Sequence, residues 1–386
     1  MTAVDSGNER IAAPPKHLRP VWLALLPLGL GFILALAGLE YARTHVLVKL
    51  EEAALGTQTQ MVYESGHGER ILCQDARENR LCEAAYEKAG YPPVVLWLGN
   101  SQLPAVNRYK PDDATAPTLL HDALARRGSY VIALAQPNAN LAEHGLIFAA
   151  VAPRYAPRVL LLPVVLDDIR EQGIRTHVAS FIEDSAARVA AQKSLIWPVV
   201  APMLAVGSAA RDVPPVERTM QQRIEVSLND RLSEWWPLWR ERAKLRGILA
   251  LTLHTVRNKV LGINAQSKRN VDPAVYAEKM RILAAILEHA RNLGVRVLLY
   301  VPPYRLDISG PYLASDTDRL KADLVRLAAE HGAHYADFED TVPGPEWGTV
   351  VDPLFGFEDY DFMHFTGEGH RRFASSLDAE LKRMGI

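Results

Sequence analysis

From Val94 onward, hydrophobic runs of two different periods alternate along the chain. Val94-Val-Leu-Trp-Leu98 is apolar throughout, the pattern of a strand buried on both faces of a sheet, and Gly99 behind it permits a sharp turn. Residues 118–127 (TLLHDALARR) have helical spacing and stop at Gly128, a natural C-cap. Residues 130–135 predict a second strand, Gln136-Pro-Asn-Ala-Asn140 a loop, and residues 141–151 an apolar helix. Residues 158–166 (RVLLLPVVL) predict a third strand ending in Asp167-Asp168. The alternation resumes at Asp272-Pro273, an N-cap with proline in the first turn, with a helix to Asn292 that closes at Gly294. A strand over 296–301, an amphipathic helix over 315–331 and a short strand over 334–338 complete it. Strand and helix in this succession predict an α/β chain, a parallel sheet with right-handed crossovers flanked by helices.

Two stretches depart from the pattern. Residues 173–270 carry helix-like segments, a proline-punctuated apolar run (195–206) and the cluster Trp235-Trp236-Pro237-Leu238-Trp239, with no convincing strand. They predict a helical insertion, with the tryptophans as insertion core or a membrane-resting surface. Near the amino terminus, residues 21–39 (VWLALLPLGLGFILALAGL) hold no charge for nineteen positions. That is long enough to cross a bilayer, whereas a signal-peptide core is usually about 7–15 residues. Arg10, Lys16 and Arg19 precede the run, while Arg43 and Lys49 behind it are offset by Glu40, Glu51 and Glu52. This charge bias places the N-terminus inside. The expected organisation is a cytoplasmic tail (1–20), a single transmembrane anchor (21–42), a membrane-proximal stalk with a hairpin (43–93) and a catalytic domain (94–386) facing the periplasm or cell exterior. A cleaved signal sequence is the alternative.

Composition adds little and excludes something. With 43 Lys and Arg against 45 Asp and Glu there is no basic surplus, and no basic run with interleaved aromatics, so nucleic acid is not an expected partner. The two cysteines, Cys73 and Cys82, are expected to form a disulfide in an exported domain. Without nearby histidines they give too few ligands for zinc, and no metal or cofactor is expected.

The candidate chemistry lies at strand ends. Ser101 follows the first buried strand at the carboxyl edge of the expected sheet, where α/β folds bind ligands, and is a candidate nucleophile. Asp361 stands three residues before His364, on a loop expected to enter the last helix. There the imidazole can face the serine while the carboxylate holds its tautomer. His370 on the last helix is a weaker candidate base, and His144 a candidate pocket residue.

Gly99-Asn-Ser101-Gln, together with Asp361-Phe-Met-His364, resembles the SGNH (GDSL-like) hydrolase superfamily, whose first block ends in Gly-Asp-Ser and whose last is Asp-x-x-His. The resemblance implies a flavodoxin-like sheet and an acyl-serine intermediate on Ser101. It further implies oxyanion donors after the second and third strands. The chain departs there: Asn138 and Asn140 follow the second strand, and Asp167 and Asp168, carboxylates that cannot donate, follow the third. Asn138 or Asn140 is therefore the expected amide donor, with plain loop capping as the alternative. Asp168 and Arg170 are expected to bind substrate, to brace the site or to form a surface ion pair.

The asparagine before the serine, the anchor and the insertion narrow the likeness to membrane-anchored SGNH proteins that accompany membrane-bound O-acyltransferases. Such proteins put D-alanine on lipoteichoic acid or acetylate exported polysaccharides. That implies acyl transfer, acetyl in the first instance, to or from hydroxyls of an envelope polysaccharide. A plain carbohydrate or lipid esterase and a non-catalytic polymer-binding or assembly factor are the alternatives.

Overall fold

The computed structural model describes residues 21–45, 57–208, 220–351 and 356–386. Helix α1 (Val21–His45) is followed by β1 (Thr59–Met61), β2 (Leu72–Cys73), α2 (Ala76–Lys88), β3 (Val94–Gly99), β4 (Ala105–Asn107) and α3 (Ala116–Ala125). Next come β5 (Tyr130–Ala135), α4 (Leu141–Tyr155), β6 (Val159–Pro163) and α5 (Leu166–Arg170). The expected insertion holds α6 (Thr176–Ala179), α7 (Ser185–Lys193), α8 (Trp197–Ser208), α9 (Met220–Trp235), α10 (Pro237–Arg240) and α11 (Arg242–Val260). The chain then runs through α12 (Pro273–Asn292), β7 (Arg296–Val301), α13 (Ala314–His331), β8 (His334–Asp337), β9 (Trp347–Val351), β10 (Glu358–Phe365) and α14 (Gly367–Arg383).

Six parallel strands form the main sheet in the order β2-β5-β3-β6-β7-β8. Period-2 alternation sends Leu96, Leu98, Ile132, Leu134, Leu160 and Leu299 into one layer with α4 and α12. Val95, Trp97, Val131, Leu161 and Tyr300 enter the other, against Leu120 of α3 and Phe373 and Leu377 of α14. Both faces are covered, which explains why the strands read as unbroken apolar runs. One pair of polar atoms buried between the strands is matched: Trp97 Nε1 donates to Tyr300 Oη at 2.7 Å.

Several expectations need correction. The sheet begins before Val94, because β2 pairs with β5 as an edge strand, so the stretch expected to be a separate stalk is partly built into the sheet domain. Cys73 on β2 and Cys82 on α2 are disulfide-bonded, and they clamp a strand to a helix rather than a hairpin. The third strand stops at Pro163, since α5 opens at Leu166 with the Asp168 carboxylate accepting from Val165 N–H at 3.3 Å. Asp361 and His364 lie on a strand, not a loop: β10 pairs antiparallel with β9, with a register shift between Tyr360 and Phe365.

Between 173 and 270 the described elements are helices, and the first of them belong to the core. Phe181, Ile196 and Val200 are buried with α4 and α12. The later helices leave Trp235 91 % exposed, with Leu253 and Val260 also open, and α10 lies against α1. Among the described residues no helix is long and apolar enough to cross a membrane. The apolar run at 21–39 includes positions whose side chains lie outside the described residues, and the tail (1–20) lies outside them altogether.

Candidate active site

Ser101 stands two residues past β3, whose Gly99 must be glycine: a Cβ there would lie 2.4 Å from the Leu103 side chain, which folds back over the turn. Asn100 Oδ1 accepts from Gln102 N–H at 3.0 Å and Ser101 carbonyl from Ala105 N–H at 3.1 Å, so the turn is held from within. The Gln102 carboxamide donates to Pro303 O at 2.9 Å and to Met363 O at 3.0 Å. It thereby ties the serine turn to the loop after β7 and to β10.

That tie brings the sequence-separated residues together. Ser101 Oγ is 2.9 Å from His364 Nε2, and His364 Nδ1 is 2.9 Å from Asp361 Oδ2. Since the carboxylate can only accept, Nδ1 carries the proton and Nε2 is left to accept from the serine hydroxyl. Asp361 Oδ1 accepts from Met363 and His364 N–H, both at 2.9 Å, and Asn107 Nδ2 donates to Oδ2 at 3.1 Å. Burial opposes the Asp361 charge, but the adjacent His364 and these N–H donors outweigh it and hold its pKa below the usual range. Ser101, Asp361 and His364 are 6, 4 and 8 % exposed, so the electrostatics act where water screens them little.

The other candidates divide. Asn140 is consumed as the N-cap of α4: its Oδ1 accepts from Ala142 and Glu143 N–H and from buried Lys279 Nζ, and its amide donates to Gly173 O. Asn138 is exposed in the left-handed region at φ 52°, which asparagine tolerates in a turn. Arg170 is near Tyr312 Oη (3.5 Å) and Asp167 (3.7 Å), and that carboxylate also takes Arg269 and Tyr312. The hydrogen bonds and ion pairs described for these side chains do not include Ser101, His364 or Asp361. Asp168 is buried against Asn100, and burial raises its carboxyl well above the ordinary range, against the hydrogen bond from Val165 N–H. His370 is wholly buried and braces α3 against β4. Its Nδ1 accepts from Ala116 N–H and its Nε2 donates to Ala105 O, both at 3.0 Å. His144 is also fully buried, and neither ring nitrogen has a partner.

Sequence reasoning missed Asn107, Gln102 and Gln136. Gln136 follows Ala135, which pairs with Gly99, and its N–H donates to Gly99 O at 2.9 Å. Its carboxamide is fully buried with neither polar atom partnered, beside the serine turn. Among the described residues no cluster of side chains could hold a metal ion.

No family model and no curated protein sequence matches the chain. Solved structures that it resembles include a putative acylhydrolase from Bacteroides fragilis, 10 % identical with a TM-score of 0.35, covering 77 % of this chain and 93 % of that one. A catalytic mutant of an acetylxylan esterase from Geobacillus stearothermophilus is 9 % identical with a TM-score of 0.34, covering 74 % and 92 %. A GDSL-like lipase from Bacteroides thetaiotaomicron is 10 % identical with a TM-score of 0.35, covering 78 % and 97 %. At such identities and scores function rests on the chain's own side chains. They define an α/β protein with serine, histidine and aspartate in hydrogen-bonded succession at a sheet edge.

Proposed function

We propose that the chain is an SGNH-type serine acyltransferase or esterase that moves an acyl group to or from hydroxyls of a cell-envelope or exported polysaccharide. The observation that carries this reading is the unbroken pair of 2.9 Å contacts, Ser101 Oγ to His364 Nε2 and His364 Nδ1 to Asp361 Oδ2. As Ser101 Oγ attacks the ester carbonyl, its proton passes to His364 Nε2, and Asp361 stabilises the imidazolium. Collapse of the tetrahedral intermediate returns that proton to the leaving alcohol and leaves acyl-Ser101. An acceptor hydroxyl, or water, then gives its proton to His364 as it attacks, and Ser101 recovers the proton on release.

The negative oxygen needs donors. Ser101 N–H makes no hydrogen bond within the described residues, and the unpartnered Gln136 carboxamide is the second donor on this reading, in place of Asn138 or Asn140. Asp168 takes the bracing role.

We place the domain outside the cytoplasmic membrane on a single span, with a membrane-bound O-acyltransferase as the partner that delivers acyl groups. The uncharged run at 21–39 and the exposed Trp235 at the end of α9, next to the α10 that lies against α1, support that placement. The test is to supply p-nitrophenyl acetate with and without a soluble polysaccharide fragment. Acylated fragment is expected with the wild type and none with Ser101→Ala; free acid as the sole product would leave an esterase.

A further inference from the structure

A cavity of about 410 Å³ opens at the carboxyl ends of β6 and β7, between the loop after β7 and α13. Its lining joins aliphatic residues, including Val164, Val301, Leu306, Ile308 and Leu320, to polar ones such as Arg305 and Asp318, and Tyr304 completes it. The Tyr304 hydroxyl is buried with no hydrogen-bond partner. A buried hydroxyl left unpaired is unfavourable, and native structures seldom leave one without a reason.

The polar groups of the cavity narrow its ligand. Lys321 is neutralised by Asp337 (2.8 Å) and Glu339 (2.6 Å). Lys268 Nζ is spent on the Gly310 and Tyr312 carbonyls and the Ser309 hydroxyl. Arg305, the third cation of the lining, is held by Asp307 and the Gly348 carbonyl, both at 2.8 Å, so none of the three is left for a phosphate or sulfate. A sugar ring is also a poor fit: one face of Tyr304 is covered by Phe362, the rings stacked at 29° and 5.7 Å, and a sugar's many hydroxyls would meet aliphatic walls. A neutral aliphatic chain bearing one oxygen acceptor matches the surface, and the volume falls in the usual range for small-molecule pockets.

The cavity adjoins the triad without including Ser101, His364 or Asp361. Its Val164–Leu166 wall follows β6, the direct neighbour of β3, and Asp168, which holds Val165 N–H, is packed against Asn100. On the other side Phe362, stacked on Tyr304, directly follows Asp361, and Gln102 bridges Pro303 O and Met363 O. We propose that this cavity is the acyl pocket of the enzyme, holding a medium-length aliphatic acyl chain whose in-chain oxygen, a keto or hydroxyl group separate from the ester carbonyl at Ser101, meets the Tyr304 hydroxyl. This rests on the acyl-serine reading above and replaces acetyl with a longer acyl group as the preferred cargo.

The test uses the full-length chain in lipid nanodiscs, with empty nanodiscs subtracted. The ratio of kcat/KM for p-nitrophenyl hexanoate over p-nitrophenyl acetate is measured for wild type and for Ala314→Trp, which fills the exposed rim of the cavity. Wild type should prefer hexanoate by at least about tenfold, and the variant should lose most of that preference through KM. A ratio that Ala314→Trp does not move overturns the proposal. A second arm titrates 2-octanone, a neutral chain with a carbonyl, into Ser101→Ala by calorimetry. Binding is expected, weakened about fivefold by adding Tyr304→Phe and abolished by adding Ala314→Trp. No binding, or binding indifferent to Ala314→Trp, also overturns it. If no ester is turned over while 2-octanone binds in this pattern, the acyl-serine reading fails and the aliphatic site stands.

Discussion

Asn107 donates to the same Asp361 oxygen that receives the His364 Nδ1 proton, at 3.1 Å and 2.9 Å respectively. Ala105, two residues before Asn107 on β4, is hydrogen-bonded to the Ser101 carbonyl, so one short strand fixes the acid and the serine turn together. Asn107 fits only because Gly348 faces it: a Cβ there would lie 1.9 Å from the Asn107 side chain.

Asn107→Ala should therefore slow turnover by about tenfold, the loss of a hydrogen bond to a charged group. Gly348→Ala should slow it at least as much by driving Asn107 off the carboxylate. The check is kcat on p-nitrophenyl acetate with both variants still folded by circular dichroism. Full activity in Gly348→Ala would show that the asparagine is not needed.

Within the triad the order of effects is diagnostic. Ser101→Ala and His364→Ala should each remove nearly all turnover, and the double variant should lose little more, because the groups act as one unit. Asp361→Asn should cost about a hundredfold to ten-thousandfold through the wrong imidazole tautomer. Additive losses in the double variant would contradict this.

His370→Ala separates folding from chemistry. Truncation leaves Ala116 N–H and Ala105 O unpaired in the interior, so stability should fall by about 1–3 kcal/mol. Turnover per folded molecule should persist. Urea melts together with active-site-normalised rates would measure both.

Acid sensitivity follows from the same burial. Desolvation lowers the pKa of His144 and His370 to about 4 in the fold, against an ordinary value of 6.5. Between those values the unfolded chain binds more protons than the native one, so stability falls as pH falls. The contribution is fully present above pH 6.5 and lost progressively towards pH 4, on the order of 3 kcal/mol for each histidine. Urea midpoints at pH 7 and pH 5 should show the drop, and replacing His144 with a neutral side chain of similar size should shrink it. Equal midpoints would be incompatible with two buried neutral imidazoles.

Reducing the Cys73–Cys82 bond should destabilise the domain by about 2–3 kcal/mol for so short a loop. Because β2 is an edge strand of the main sheet, hydrogen exchange should rise first in β2 and α2. Protection unchanged there on reduction would contradict the clamp.

The parallel sheet is legible in the sequence because its strands are covered on both faces and leave unbroken apolar runs, as in Val94-Val-Leu-Trp-Leu98. The serine at a strand end and the closely spaced Asp361 and His364 are legible for the same local reason. β2 is not, being two residues long and defined by its partner. β10 is obscured by its acids: Glu358 and Asp359 pair with β9 on a partly exposed hairpin, while Asp361 is buried against His364 and Asn107. Asn107 and Gln136 escape because their importance comes from proximity alone: Asn107 meets an acid 254 positions away. The Asn140 cap and the Asn138 turn show the converse, since asparagine in a loop reads equally well as catalysis or as geometry.

The most direct test of the account is labelling with a serine-directed fluorophosphonate, followed by peptide mass spectrometry of the full-length chain. The account predicts one adduct, on the peptide carrying Ser101, absent in Ser101→Ala and strongly slowed in His364→Ala. No adduct on the folded wild type, or an adduct on another serine that survives Ser101→Ala, would contradict it.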